Sequence, residues 1–175
     1  MVTMRTTSHT DPNLIRRKRV RFVVVALIIL GVSTLASFAN PTIKTNWITY
    51  PVTATSADQI LRQLQENGPN GFWGFTRWYV RWTGACEVTL EIDYIMPLHM
   101  NRNGMHPTTR DAWDKMVVAL TNHEHQHGAH GTNAAWELVQ SGCQNGDAIV
   151  TKWSEQDGVY DRRTGHGRTE GVVFP

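Results

Sequence analysis

His123, Glu124 and His127 stand in the order H-E-x-x-H, which on a helix brings two imidazoles and a carboxylate together. Residues four apart lie one turn apart on the same face, with Cβ atoms about 5–6 Å apart, so His123 and His127 can converge on one ion. Glu124 is turned about 100° from His123 and can reach water beside that ion without ligating it. Zinc with three protein ligands keeps one position open, lowers the pKa of water there to about 7 and polarises a carbonyl. Glu124 would take the proton of the attacking water and return it to a leaving amine. The chemistry implied is metal-assisted hydrolysis of a peptide bond, with Zn2+ as cofactor, His123 and His127 as ligands and Glu124 as general base.

A third ligand must come from elsewhere. His130 shares the face of His127, but on a regular helix it lies about 10 Å along the axis from His123. Glu137 lies farther still and could join only if the helix turned back at Gly131. The longer pattern H-E-x-x-H-x-x-G-x-x-H fails, because His130 stands where Gly is required and Asn133 where the third His is required. His166, between Gly165 and Gly167, can be aimed inward from a loop and is the favoured third ligand. Tyr160, six residues earlier, is a candidate donor to a tetrahedral oxyanion. His99 and His106 are surface residues or line the cleft, and His125 faces solvent or backs the site.

The carrier of this motif reads as a long helix from about Thr109 toward Ser141. Thr108 or Thr109 offers an N-cap, and Trp113, Met116, Val117 and Leu120 recur at three- and four-residue spacing. That apolar stripe, extended, carries His123, Glu124 and His127 to the buried side, where unpaired polar groups cost a few kcal/mol each. Gly128 and Gly131 are points where the helix could bend or break.

The first 39 residues read as a signal peptide or N-terminal membrane anchor. Arg16, Arg17, Lys18, Arg19 and Arg21 precede an apolar run from Phe22 to Ala39, and Ser37-Phe38-Ala39 supplies the small residues a signal peptidase reads. Residues 40–175 then form one exported domain, periplasmic or secreted, or held at the inner membrane if the leader stays attached. Six of the 17 Lys and Arg and one of the 15 acids precede Asn40, leaving 11 bases against 14 acids. A mildly acidic domain gives no electrostatic footprint for nucleic acid. The two cysteines, Cys86 and Cys143, both lie in that domain, and in an oxidising compartment an isolated pair is expected as a disulfide.

Ahead of the long helix, a strand is expected from Trp47 to Ala54, confined to an edge by Pro51. A helix follows, capped by Ser56 with capping-box spacing to Gln59 and closed by Asn67-Gly68-Pro69. Thr76, Trp78, Val80 and Trp82 share one face of a strand. Cys86, Val88, Leu90, Ile92 and Tyr94 share one face of the next, after a turn at Thr83-Gly84-Ala85. Pro97 to Pro107 reads as loop, 147–155 as a weaker helix, and everything from Gly158 onward as ordered loop. The fold class expected is α+β, a small antiparallel sheet packed against the long H-E-x-x-H helix.

The Trp-rich strand, the Cys86-Glu87-Val88 strand, His123-Glu124-x-x-His127 with Gly131, Ala134, Ala135 and Glu137, and the tail Tyr160-Asp161-x-x-Thr164-Gly165-His166-Gly167 resemble the bacterial predicted secreted zinc-dependent proteases, domain of unknown function 922. The resemblance implies a zincin-like fold, secretion, His123 and His127 as ligands and Glu124 as base. His166, as part of the recurrent tail, gains weight as a site residue. The activity expected is that of a zinc metallopeptidase acting on a peptide or protein substrate. The alternative is a zinc-binding envelope protein without turnover, and Glu124 separates the two, because a structural site has no use for a base beside an open position.

Overall fold

The computed structural model describes residues 39–175, so the leader expected over residues 1–39 lies outside them except for Ala39. No helix among the described residues is long and apolar enough to cross a membrane. The order is β1 (Thr42–Val52), α1 (Ala57–Asn67), β2 (Phe75–Trp82), β3 (Val88–His99), α2 (Pro107–Gln140) and α3 (Gly146–Thr164), with short 3-10 turns between. This is an α+β fold with a three-stranded sheet and one long helix. Val52, Ile60, Leu64, Leu90, Met116 and Leu138 are fully buried and join sheet, α1 and α2 in one core.

The sheet is mixed rather than antiparallel. Its order is β1-β3-β2, with β2 antiparallel to β3 and β1 parallel to it, from Thr42↔Thr89 to Val52↔His99. The tight turn after Trp82 permits only an antiparallel pair. The connection from β1 to β2 contains α1 and is long enough to let β1 take the far edge in the other sense. Pro51 therefore sits on an edge strand, as its missing N–H requires. β3 runs on to His99 through Pro97, where a loop was expected. Pro97 is tolerated because β2 ends opposite Ile95, so β3 has a single neighbour there.

Ser56 holds the N-cap of α1, but its side chain makes no capping hydrogen bond, so the capping box does not form. The cap of α2 is His106 with Pro107 in the first helical position, two residues ahead of the threonines expected to serve, and the ring's fixed φ suits that place. α2 then runs unbroken for 34 residues, about 50 Å. Gly128 and Gly131 do not bend it; they let the sheet come close. A Cβ on Gly128 would lie 2.0 Å from Tyr94 Oη, and one on Gly131 2.6 Å from Trp78 Cγ.

The tail expected as loop from Gly158 is the second half of α3 as far as Thr164, and loop with one short 3-10 turn only from Gly165 onward. This helix returns along α2, since Glu137 meets Lys152 and Trp153, His130 meets Asp157, and His127 meets both Asp157 and Asp161. The turn between the helices is fastened to the β2–β3 turn by the Cys86–Cys143 disulfide, with a Cα–Cα distance of 5.5 Å. The disulfide expected of Cys86 and Cys143 is thus present.

Candidate metal centre

The antiparallel pairing of α2 and α3 sets histidines four apart on one helix against aspartates four apart on the other. His123 and His127 stand one turn apart on α2, and Asp157 and Asp161 one turn apart on α3. His123 and His127 are buried, and their Nε2 atoms lie 3.3 and 3.1 Å from the same oxygen, Asp161 Oδ1. Ligands about 2.0–2.1 Å from a common ion in a tetrahedral arrangement stand about 3.3 Å apart. His123, His127 and Asp161 could therefore hold a metal ion.

The other ring nitrogens also face carboxylates. His123 Nδ1 donates to Glu170 Oε2 at 2.9 Å, and His127 Nδ1 donates to Asp157 Oδ1 at 3.0 Å. A neutral imidazole with its proton on Nδ1 presents a lone pair at Nε2. Two such lone pairs and a carboxylate oxygen then face one another, an arrangement that requires positive charge, from an ion or from protonated rings. Carboxylates behind the far nitrogens of both histidines are also the support usual for metal-bound imidazole. The donor set fits a divalent cation.

Asp157 gathers three donors. Beside His127 it accepts His130 Nδ1 at 2.6 Å and Trp78 Nε1 at 2.7 Å. His127, His130 and Asp157 also form a group with metal-ligand potential, but 2.6 Å between two of its atoms is a charge-assisted hydrogen bond and too close for a pair of ligands on one ion. Burial raises the Asp157 carboxyl, yet the donations from His127, His130 and Trp78 outweigh it and hold the group below its ordinary range. Burial lowers the His127 imidazole, and Asp157, with Asp161 and Glu124, more than reverses this, so it stands above its ordinary value. Glu170 follows Asp157: burial raises it, and Tyr160 and His123 bring it down overall.

Glu124 is 4% exposed and faces the same cleft. Its Oε2 accepts Thr76 Oγ1 of β2 at 2.8 Å. Burial pushes its carboxyl up from the ordinary range, against the Thr76 hydrogen bond and the two imidazoles. Gly74 leaves room for it, because a Cβ there would lie 3.1 Å from Glu124 Oε1.

His166 is adjacent but not convergent. Its side chain is 58% exposed, with Nδ1 3.6 Å from Asp161 Oδ2 and its ring 5.4 Å from that of Phe72. Gly165, His166 and Gly167 all have left-handed φ, +59°, +54° and +78°, and this run folds the chain back over the site. Gly167 is needed there, since a Cβ would stand 2.5 Å from Val172 Cγ2 and 3.0 Å from His123 Cγ. Tyr160 stacks on His123 at 4.9 Å, and its hydroxyl donates to Glu170 at 2.8 and 2.9 Å. Burial, then Glu170, pushes its pKa well above the ordinary phenol value. Glu137 lies apart, bound to Lys152 and Trp153. His99 pairs with Ala54 O and Trp113, and His125 packs on Trp47 and Tyr94.

Asp157, Asp161, Glu170, Thr76 and Trp78 are not found from sequence. Asp161 stands in the tail motif Tyr160-Asp161-x-x-Thr164-Gly165-His166-Gly167 without an assigned role, and the spacing Asp157–Asp161, which mirrors His123–His127, becomes visible once α3 is carried past Gly158.

No curated protein and no solved structure matches the chain. The model of one family, described as "Bacterial protein of unknown function (DUF922)", matches residues 47–167, so the chain belongs to that family.

Proposed function

We propose that this protein is an exported zinc-dependent peptidase. The observation that carries the proposal is the convergence of His123 Nε2, His127 Nε2 and Asp161 Oδ1, each imidazole backed by a carboxylate, beside the buried Glu124. Zinc in such a site supplies a Lewis acid that activates water and polarises a carbonyl near neutral pH. His123, His127 and Asp161 would hold it. Asp157 and Glu170 keep both Nε2 lone pairs aimed at it. Thr76 anchors Glu124 Oε2, which leaves Oε1 to receive a proton from attacking water and release it to the leaving amine. Tyr160 acts through Glu170 on His123 rather than on substrate. β2, an edge strand next to Glu124, offers main-chain pairing to an extended peptide. The disulfide supports export, since such bonds persist in oxidising compartments.

The test is metal analysis together with cleavage of a peptide library by the protein and its Glu124→Gln variant. The variant keeps its zinc and loses about 10²–10⁴ in kcat, the size of a general-base contribution. A protein that binds zinc and cleaves nothing is instead a zinc-binding envelope protein without turnover.

A further inference from the structure

The cleft lined by His123, Glu124 and Asp161 has an apolar side as well. Its volume is about 680 Å³, within the range of about 300–1,000 Å³ typical of ligand sites. The same cleft is lined by Leu61, Phe72, Trp73, Phe75, Val173 and Phe174, with the His166 ring 5.4 Å from that of Phe72. Phe72 is 39% exposed there and stacks on Phe75 with ring centroids 6.4 Å apart. A phenylalanine left this open on a concave wall gains from an apolar occupant.

The wall is built rigidly. Phe72 N–H donates to Pro69 O at 3.0 Å, across a turn whose Asn70 and Gly71 both have left-handed φ. Trp73 O is held by Tyr50 Oη at 2.6 Å. Asp157, Asp161 and Glu124 line the same cleft together with His123, His127, His166 and Arg168.

We infer that this wall is a specificity subsite, in which Phe72 and Phe75 hold a bulky apolar side chain of a peptide beside the scissile bond. The inference rests on the peptidase reading of the same cleft and names the substrate class that reading leaves open.

Binding tests it without turnover. Blocked hexapeptides that differ only at one central residue, Phe, Leu, Gly, Asp or Lys, are titrated calorimetrically into the zinc-loaded full chain carrying Glu124→Gln. Phe and Leu peptides bind about tenfold or more tighter than the Gly peptide, the discrimination an apolar pocket gives. Adding Phe72→Ala cuts that ratio at least about fivefold with the Gly peptide little changed, and Phe72→Leu restores most of it. Equal affinity for Gly and Phe, preference for Asp or Lys, no binding of any peptide, or a ratio indifferent to Phe72→Ala would each overturn the subsite. Cleavage of the same peptides by the unmodified zinc-loaded chain judges the peptidase reading separately. Selective binding without cleavage sinks that reading alone, and cleavage without selectivity sinks the subsite alone.

Discussion

Gly131→Ala should weaken both the fold and the metal centre, although the substitution is one that ordinarily stabilises a helix. Alanine in a helix interior is favoured over glycine by about 0.5–1 kcal/mol. At position 131 the new Cβ would stand 2.6 Å from Trp78 Cγ and 2.9 Å from Trp78 Cβ. Trp78 Cβ is fixed by β2, which pairs with Ile92 of β3 at that residue, so the indole cannot swing clear without moving strand or helix. Overpacking of this kind costs about 1–3 kcal/mol, which against the propensity gain leaves a net loss of up to about 2.5 kcal/mol and a fall in Tm of up to about 10 °C. The displaced indole also carries the Nε1 donor to Asp157, the carboxylate that orients His127, so zinc affinity should fall about tenfold. Gly158→Ala in α3 is the control. Its Cβ meets nothing nearer than Arg162 Nη1 at 3.3 Å, and it should raise Tm slightly. Thermal melts of metal-free and metal-loaded protein, with a chelator competition for zinc, measure both effects. If Gly131→Ala behaves like Gly158→Ala and keeps zinc affinity, the chain of contact from glycine to indole to aspartate to histidine is wrong.

Asp161→Asn should lower zinc affinity by tenfold or more, while His166→Ala retains close to full metal content; equilibrium dialysis that gives the reverse order would assign the third position to His166. Cutting the covalent link with Cys86→Ser and Cys143→Ser should cost about 4 kcal/mol in guanidinium unfolding, from the loop closed by a separation of 57 residues. On the outer face of the sheet, the Asn46 amide and then Arg77 hold the Asp93 carboxyl below its ordinary range despite partial burial. A depressed carboxylate contributes stability above its unfolded pKa of about 3.9 and loses it as pH falls through the folded value. Asp93→Asn should therefore lower Tm at pH 7, and the gap to the unmodified protein should narrow as acid titrates the group. A gap constant with pH would rule out that account.

The sequence carried the chemistry of α2 well and that of α3 poorly, for a physical reason. His123, Glu124 and His127 are bound by helical periodicity alone, and the stripe through Trp113, Met116 and Leu120 announces which side is buried. The face of α3 is set by contact with α2, and its second half, with Gly158 and several charged residues, has no apolar stripe of its own. Asp157 and Asp161 are legible only once the helix is known to continue to Thr164. The parallel pairing of β1 was hidden likewise, since alternation in a strand says nothing about the direction of its neighbour. Gly128 and Gly131 read as breaks because propensity is local, whereas what they permit is the approach of Tyr94 and Trp78 from a distant strand. The capping box at Ser56 had the right residues in the right place and still formed no bond.

The imidazoles and the carboxylates that face them belong to one helical hairpin and the short tail behind it, whereas the groups that tether this hairpin to the sheet at the cleft are Thr76, on Glu124, and Trp78, on Asp157. A small slide of the hairpin across the strands would carry the donor cluster along intact while detaching the base from its anchor and altering the gap against Phe72 and Phe75. In the proposed peptidase, disturbance at the strand boundary would thus reach the base through Thr76 and the support of His127 through Trp78 and Asp157.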